Sequence, residues 1–448
     1  MIGMLALVVL LSCNDQQTES NSETSEPEVT ELVLADDGAW GYTGHHALMY
    51  RNKLFYSYLD SEGNTWVASY DPVTGDIVRS NIWEGEANLH SSNALVIRPD
   101  GRIQVFLDAG SYVDNKIRWK VSNESGEVAE FGDLQISEID APIVQGRQFY
   151  PVVHNPTGMM FLAVNAIHEN SDRTAMMWIS EDGGDSFNQV HELWSLGKDL
   201  RSNRSYTRVY AEDSGIHFAT VRVGWNESVG EHEIGRVEGV YYIKYDVSEQ
   251  AFIRASGEHS FELTDLPIFD ADKLDNVWHW VEDGGGTSRA LWSDIVADEN
   301  GRPYVAFAVQ NAVPQGVSTF HDGYWAHVDD RGEWSHHHIG KLARGWDNRP
   351  ERKNYGLAID PIDPMSVIVS RSTDFDQDLS RVVRMRSGNR GEDWTETEIL
   401  SDEGRITTVV IPRLIDDSER SVAALWLEGR LEGWFDYNTG IKATPSNP

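Results

Sequence analysis

The octapeptide Ser180-Glu181-Asp182-Gly183-Gly184-Asp185-Ser186-Phe187 follows the pattern Ser-x-Asp-x-Gly-x-x-aromatic, the Asp-box hairpin. Its chemistry is that of a tight turn. Short polar side chains satisfy turn amides, glycine takes positive φ, and the aromatic ring plugs between strands. Ser387-Gly388-Asn389-Arg390-Gly391-Glu392-Asp393-Trp394 is a second, degenerate copy with Asn in place of Asp. Two such boxes at the same place in different units mark a repeated all-β architecture. They are structural, and no catalysis is assigned to them.

Outward from the boxes, the chain consists of short runs of β-branched, aromatic and aliphatic residues, punctuated by Gly, Asp and Asn. One pattern recurs: an apolar strand, a polar turn, a second apolar strand, then a third and often a fourth. The turns are Arg51-Asn52-Lys53, Pro99-Asp100-Gly101-Arg102, Asn155-Pro156-Thr157-Gly158, Glu212-Asp213-Ser214-Gly215, Asp298-Glu299-Asn300-Gly301-Arg302, Asp360-Pro361-Ile362-Asp363-Pro364 and Asp416-Asp417-Ser418-Glu419. They predict an all-β, seven-bladed β-propeller over residues 32–448 as a single domain. Residues 32–36 would supply a strand closing the last blade onto the first.

With 37 basic and 72 acidic residues in 448, the net charge is −35. A nucleic-acid partner is excluded, because such a partner needs a basic footprint. An anionic ligand held in a local basic basin within the acidic shell is not. The single cysteine, Cys13, rules out an intrachain disulfide and a Cys-based metal site. It follows the apolar run Ile2 to Leu11, too short to span a bilayer. Leu10-Leu11-Ser12-Cys13 reads as a bacterial lipobox, making residues 1–13 a lipoprotein signal and Cys13 the lipidated residue; a plain secretory signal with an incidental cysteine is the alternative. Residues 14–31 read as a disordered polar tether. The expected location is therefore the bacterial cell envelope, lipid-anchored or secreted, with membrane contact only through that anchor.

In a propeller the innermost strands line a central channel, and the segments leading into them form one mouth. Upstream of each first hairpin stand His45 and His46, His90, Tyr150, Arg204 and Arg208, Arg289 and Trp292, and Arg352 and Tyr355. Together they make a His, Tyr and Arg basin suited to an anionic ligand. The bland alternatives are turn-capping groups at His45 and His46 and a core aromatic at Tyr150. The run His336-His337-His338 falls late in its unit, on an outer strand whose side chains alternate in direction, and reads as a solvated face. Glu227, Glu231, His232 and Glu233 have no fixed metal spacing, so no cofactor is required; a structural divalent cation, Ca or Zn, gains no support from spacing.

Asp37-Gly38-Ala39-Trp40, Val67-Ala68-Ser69-Tyr70-Asp71 with Thr74-Gly75, Ile97-Arg98-Pro99-Asp100-Gly101-Arg102 and the closing Leu425-Trp426-Leu427-Glu428-Gly429-Arg430 with Asp436-Tyr437 resemble the BNR-4 type propellers, in order across residues 36–441. That group includes seven-bladed ulvan lyases and lyases of rhamnose–glucuronate linkages. The resemblance implies a catalytic role for His90, for Tyr150 followed by Pro151, and for Arg204. Three positions depart from the ulvan lyase pattern. The place of the pattern's second His holds Asp108-Ala109-Gly110-Ser111, the place of its Arg after the Tyr falls near Asn165, and the Trp-rich opening is replaced by Gly41-Tyr42-Thr43-Gly44-His45-His46.

These residues suit β-elimination on a uronate-containing polysaccharide by a monomeric enzyme. Arg204 and Arg208 would pair the uronate carboxylate and stabilise the enolate-like charge. A neutral His90 or an ionised Tyr150 would take the C5 proton, and His46 is counted with them among the catalytic residues. His45, Arg289, Trp292, Arg352 and Tyr355 would bind substrate. A sialidase- or rhamnosidase-like hydrolase is a rival reading, although acids such as Glu282 and Asp294 show no defined spacing. A non-catalytic glycan-binding surface lipoprotein is the third.

Overall fold

In the computed structural model both Asp boxes close the hairpin between the last two strands of a sheet. The first joins Arg173–Ser180 to Gln189–Trp194, and the second joins Leu379–Arg386 to Thr395–Ile399. The structure describes residues 30–40, 45–85, 93–107, 116–138, 143–168, 173–194, 203–224, 237–279, 289–310, 321–343, 356–374, 379–431 and 436–446. Among these there is no α-helix, only two single-turn 3-10 segments at Leu263–Asp265 and Ala271–Lys273.

The strands form sheets largely in chain order and antiparallel, except that Arg413–Leu414 runs parallel to Ala47–Tyr50 at the edge of the first sheet. The first three hold residues 47–83, 94–138 and 143–194. The fourth spans 203–279, its third strand Val237–Asp246 pairing with both Ala251–Ile253 and Asp275–His279. An eight-stranded sheet spans 289–399, and its two halves share one register pair, Leu342–Arg371. The closing sheet begins at 406, and its outermost strand is Leu32–Ala35 from the other end of the chain, antiparallel to Tyr437–Pro445.

Each sheet buries both faces against its neighbours, and this turns a row of sheets into a ring. Leu48, Phe55 and Val67 pack on Leu95, Ile103 and Val105 of the next sheet. Phe106 and Trp119 pack on Phe149, Leu162 and Trp178. Met177 and Trp194 meet Phe218 and Ile243, and Val221 and Tyr242 meet Ile295 and Phe307. The two halves of the eight-stranded sheet meet through Trp325 and Val383, and Ile368 and Val382 pack on Val409 and Trp426. Leu425 and Ile441 then pack on Met49 and Tyr56 of the first sheet and close the circle. Each such side chain taken out of water contributes about 1.5–3 kcal/mol. This is the radial arrangement of a β-propeller.

Residues of the first strand of several sheets line a common axial cavity, so these first strands are innermost. Each runs from the mouth end of the ring toward a polar turn at the opposite, turn end. At the turn end the Arg51 and Asn52 amides donate to Asp416 and Ser418 of the closing sheet, 3.0 and 2.8 Å.

The boxes act as wedges between sheets. The Ser180 hydroxyl donates to Asp182 at 2.7 Å and accepts from the Gly184 amide at 2.7 Å. Asp182 also accepts from the Ser186 amide and hydroxyl at 2.9 and 2.6 Å. Phe187 inserts against Phe106 and Trp119 of the preceding sheet. Asn389 repeats the geometry, accepting from Ser387 at 3.0 Å and the Asp393 amide at 2.9 Å, while Trp394 meets Trp325 edge-on at 5.6 Å. Gly391, at φ +91°, is required because a Cβ there would lie 2.6 Å from Trp325.

Partial burial raises the Asp182 carboxyl, but hydrogen bonds from the Ser186 and Ser180 hydroxyls and from the Ser186 and Asp185 amides outweigh it and bring the pKa down to about 2. A carboxyl whose folded pKa is depressed stabilises the fold above its ordinary value of 3.8 and loses that effect as pH falls toward 2. Asp182→Asn, which copies the second box, is expected to lower the urea midpoint modestly at neutral pH. The gap from wild type should close as pH falls from 3.8 to about 2; a gap independent of pH over that window would rule out the carboxylate as its source.

Candidate functional site

Around the axis, first strands bring together groups far apart in sequence. Tyr150 lies on Ile143–His154, opposite Ala163. A register shift precedes it, where Gln148 takes φ +59°. The buried Asn165 fixes that irregularity: its amide donates to Gln148 Oε1 at 2.7 Å, and its Oδ1 accepts from the Thr207 amide at 3.0 Å. Asn165 therefore ties the strand bearing Tyr150 to the strand Asn203–Glu212 bearing Arg208. The Arg208 guanidinium carbon sits 4.7 Å from the centroid of the Tyr150 ring, a cation–π contact. Both side chains are buried, Tyr150 at 1% exposure and Arg208 at 8%.

His45 meets Tyr150 from the first sheet, ring centroids 6.4 Å apart and edge-on. Its Nδ1 lies 2.8 Å from the Pro151 carbonyl, which can only accept, so that nitrogen carries the proton. Burial, then the positive charge of Arg413, pushes the His45 pKa down to about 3. Arg208 adds to this, while the Pro151 and Val209 carbonyls oppose it. The ring is neutral at physiological pH.

Tyr150 moves the other way. Burial raises its phenol to about 12 although Arg208 draws it down. The expectation that a neighbouring arginine would make Tyr150 an ionised base is thus corrected: desolvation of the phenolate exceeds the stabilisation by one guanidinium. Tyr150 remains a phenol at neutral pH.

Below this layer a cavity of about 180 Å³ runs toward the turn end, lined by His45, Leu95, Val153, Tyr210, Ile362 and Arg413 among others. Arg413 Nη2 donates to Asp294 Oδ1 at 2.6 Å and to the Ile295 carbonyl at 3.0 Å, and the guanidinium lies 5.1 Å from the Tyr210 ring centroid. Asp294 accepts from the amides of Ile295 and Ile359, both at 2.9 Å. Arg413, Asp294 and Asn165 were not among the sequence-predicted site residues. No local motif flags Arg413, Asp294 appeared only as an acid without defined spacing and Asn165 only as a departure from the family pattern; the ring brings Arg413 and Asp294 into contact.

The structure gathers His45, Tyr150 and Arg208. It places His46 elsewhere: that ring is 2% exposed and stacks on Trp40 at 5.7 Å and 14°. Adjacent residues diverge where the chain enters the first strand, so His45 turns to the axis while His46 packs on Trp40. Arg204 pairs with Val223, and Arg289 with Gln310, at the mouth ends of their strands, and Trp292 falls at a register shift between Leu291 and Ser293. The side chains of these three lie outside the described residues, as do His90, Arg352, Tyr355 and Cys13 entirely.

His336, His337 and His338 occupy an outer strand, His336 and His338 exposed, His337 stacked on His327 at 5.8 Å. Among the described residues no group of three His, Cys, Asp or Glu side chains could hold a metal ion, and no helix is long and apolar enough to cross a membrane.

No family model matches the sequence, and no curated protein matches it. Solved structures do match. An ulvan lyase of polysaccharide lyase family PL25, bound to -[GlcA(1-4)Rha3S]-, superposes with TM-score 0.68 at 15% identity, over 93% of this chain and 96% of that one. The polysaccharide lyase Uly1 superposes with TM-score 0.59 at 14% identity, over 93% and 99%. At such identities the likeness is one of fold.

Arg413 is the strongest electrostatic influence on His45. Arg413→Met should therefore raise the His45 pKa above its value of about 3 while burial still holds it below the ordinary value of 6.5. Titration of the imidazole by NMR reads this directly; an unmoved pKa would show that burial alone sets it.

Proposed function

We propose that this protein is a polysaccharide lyase acting on a rhamnosyl–uronate linkage by β-elimination, built on a seven-bladed propeller. Counting the halves of the eight-stranded sheet as two blades, since one register pair joins them, gives that number. The observation that carries the reading is the axial cluster of arginine, phenol and imidazole in a ring with the fold of the ulvan lyases, one of which is bound to -[GlcA(1-4)Rha3S]-.

In this reading Arg204 pairs the uronate carboxylate, so that charge developing at C5 is met by a fixed cation. His90, as neutral imidazole, takes the C5 proton. The C4–O4 bond then breaks, a C4–C5 double bond forms, and O4 leaves with a proton. In glucuronate H5 and O4 lie on one face, so one group can serve both steps. Tyr150 is protonated and buried, and we assign it to holding Arg208 beneath the mouth. The hydrolase alternative draws no support from Asp294, whose oxygens are engaged by Arg413 and two backbone amides. No metal or cofactor enters the scheme. We also propose secretion to the cell envelope with a lipid on Cys13.

Incubation with ulvan and with rhamnose-linked glucuronans should release unsaturated uronate, read by its ultraviolet absorbance. Reducing ends without that chromophore would mean hydrolysis, and binding without turnover would mean a glycan-binding protein. His90→Ala and Arg204→Ala are each expected to lower kcat/KM by about a hundredfold or more. Tyr150→Phe keeps the ring under Arg208 and should stay within about tenfold of wild type; a loss as deep as that of His90→Ala would place the phenol proton in the chemistry.

A further inference from the structure

Phe149 and Tyr150 are neighbours, and only one of them can face Arg208. Along Ile143–His154 the register sets Arg147 opposite Asn165 and Phe149 opposite Val164, so Gln148 is an extra residue without a partner. One extra residue is a β-bulge, and it exchanges the faces of every residue beyond it. With the bulge, Tyr150 stands opposite Ala163 and packs toward the fourth sheet, while Phe149 packs toward the second. Without it Phe149 would stand opposite Ala163, and Tyr150 would turn away from Arg208. The Pro151 carbonyl, which holds His45, would be displaced as well. The bulge requires Gln148 at φ +59°, a left-handed conformation that side chains of its kind rarely adopt. Asn165 holds it there: both residues are buried, and the Asn165 amide donates to Gln148 Oε1 at 2.7 Å. Asn165 Oδ1 accepts from the Thr207 amide at 3.0 Å, and Thr207 Oγ1 donates to Thr220 Oγ1 at 3.0 Å. Thr207 immediately precedes Arg208 on the innermost strand of the fourth sheet.

We propose that Gln148 and Asn165 are positioning residues of the axial site: the bulge they hold turns Tyr150 toward Arg208, and the bond to Thr207 sets the arginine-bearing strand against it. For its effect on turnover this rests on the lyase reading above. A buried amide that only satisfied its own sheet would bond within that sheet, whereas Asn165 bridges two. Its two partners stand beside the two members of the cation–π pair, so movement at either end alters the 4.7 Å contact of Arg208 with the Tyr150 ring. A left-handed glutamine persists only where its surroundings over-determine it, and such residues gather where geometry must be exact. Tyr150→Phe leaves this stack in place; loss of the clamp removes the stack itself.

The test compares Asn165→Ala, Gln148→Ala and Gln148→Gly in the full chain with two readouts. The first is the NMR signal of the His45 imidazole, which meets Tyr150 edge-on at 6.4 Å and bonds to the Pro151 carbonyl at 2.8 Å. The second is kcat/KM on the uronate polymer. Both Gln148 variants lose the bond to Asn165, but glycine takes positive φ freely and alanine does not. Gln148→Gly is therefore expected to keep the His45 signal and to stay within about threefold of wild type. Gln148→Ala and Asn165→Ala should displace that signal and lower kcat/KM by about tenfold or more, deeper than Tyr150→Phe. Equal effects of glycine and alanine at position 148 overturn the proposal, as does an unmoved His45 signal in Asn165→Ala. If Asn165→Ala does not fold, the Gln148 pair decides. A displaced His45 signal with unchanged kcat/KM overturns the positioning role and leaves the lyase reading standing. A wild type that releases no unsaturated uronate overturns the lyase reading and, with it, the role in turnover, while the His45 comparison still decides what holds Tyr150 toward Arg208.

Discussion

The fold depends on one constraint: every sheet is apolar on both faces and can bury them only between two other sheets. A sheet with one wet face can end a stack, whereas sheets with two dry faces cannot. Trp178, Trp194, Trp325 and Trp426 are all fully buried, and each sits in a cluster shared by two neighbouring sheets. Closure follows when the last sheet packs on the first and the N-terminal strand covers its outer edge. The Asp boxes serve the same constraint, since each seats an aromatic ring on the sheet before it.

Closure has a second consequence, at the axis. Innermost strands converge there, and their edge residues meet partners that share no local sequence. Arg413 and Asp294 are 119 positions apart, and with Ile359 and Tyr210 they knit four segments of the ring. Above them Arg208 lies on Tyr150 and His45 leans on the same ring. His45 of this layer also lines the cavity beneath it. The layer's electrostatics are self-consistent: burial, aided by the two nearby guanidiniums, keeps His45 neutral, and burial keeps Tyr150 protonated. The charged groups in it are the arginines and the acid paired to one of them.

A net charge of −35 is compatible with the anionic polysaccharide proposed above. Long-range repulsion is screened within about 8–10 Å at physiological salt. A guanidinium at the axis acts at contact distance, in surroundings where water competes poorly.

Much of the fold was legible in the chain, because strand periodicity, turn chemistry and the Asp boxes are local codes. Ser180-Glu181-Asp182 and its copy at Ser387 specify their turns whatever surrounds them. His45, Tyr150 and Arg208 could be nominated from their places before or on a first strand. Their protonation could not: Tyr150 beside an arginine reads as an activated phenol until its burial is known. Nor could the divergence of His45 and His46, which depends on how the chain turns into its first strand. Arg413 stayed hidden because nothing near it in sequence marks it, and the contacts of Asp294 and Asn165 could not be read because their partners lie far away in the chain. The sequence by itself thus determined an all-β architecture of repeated hairpins with Asp-box turns. Only the tertiary structure decided which side chains share the axis and in which charge state, since contact and desolvation arise between strands that closure alone brings together.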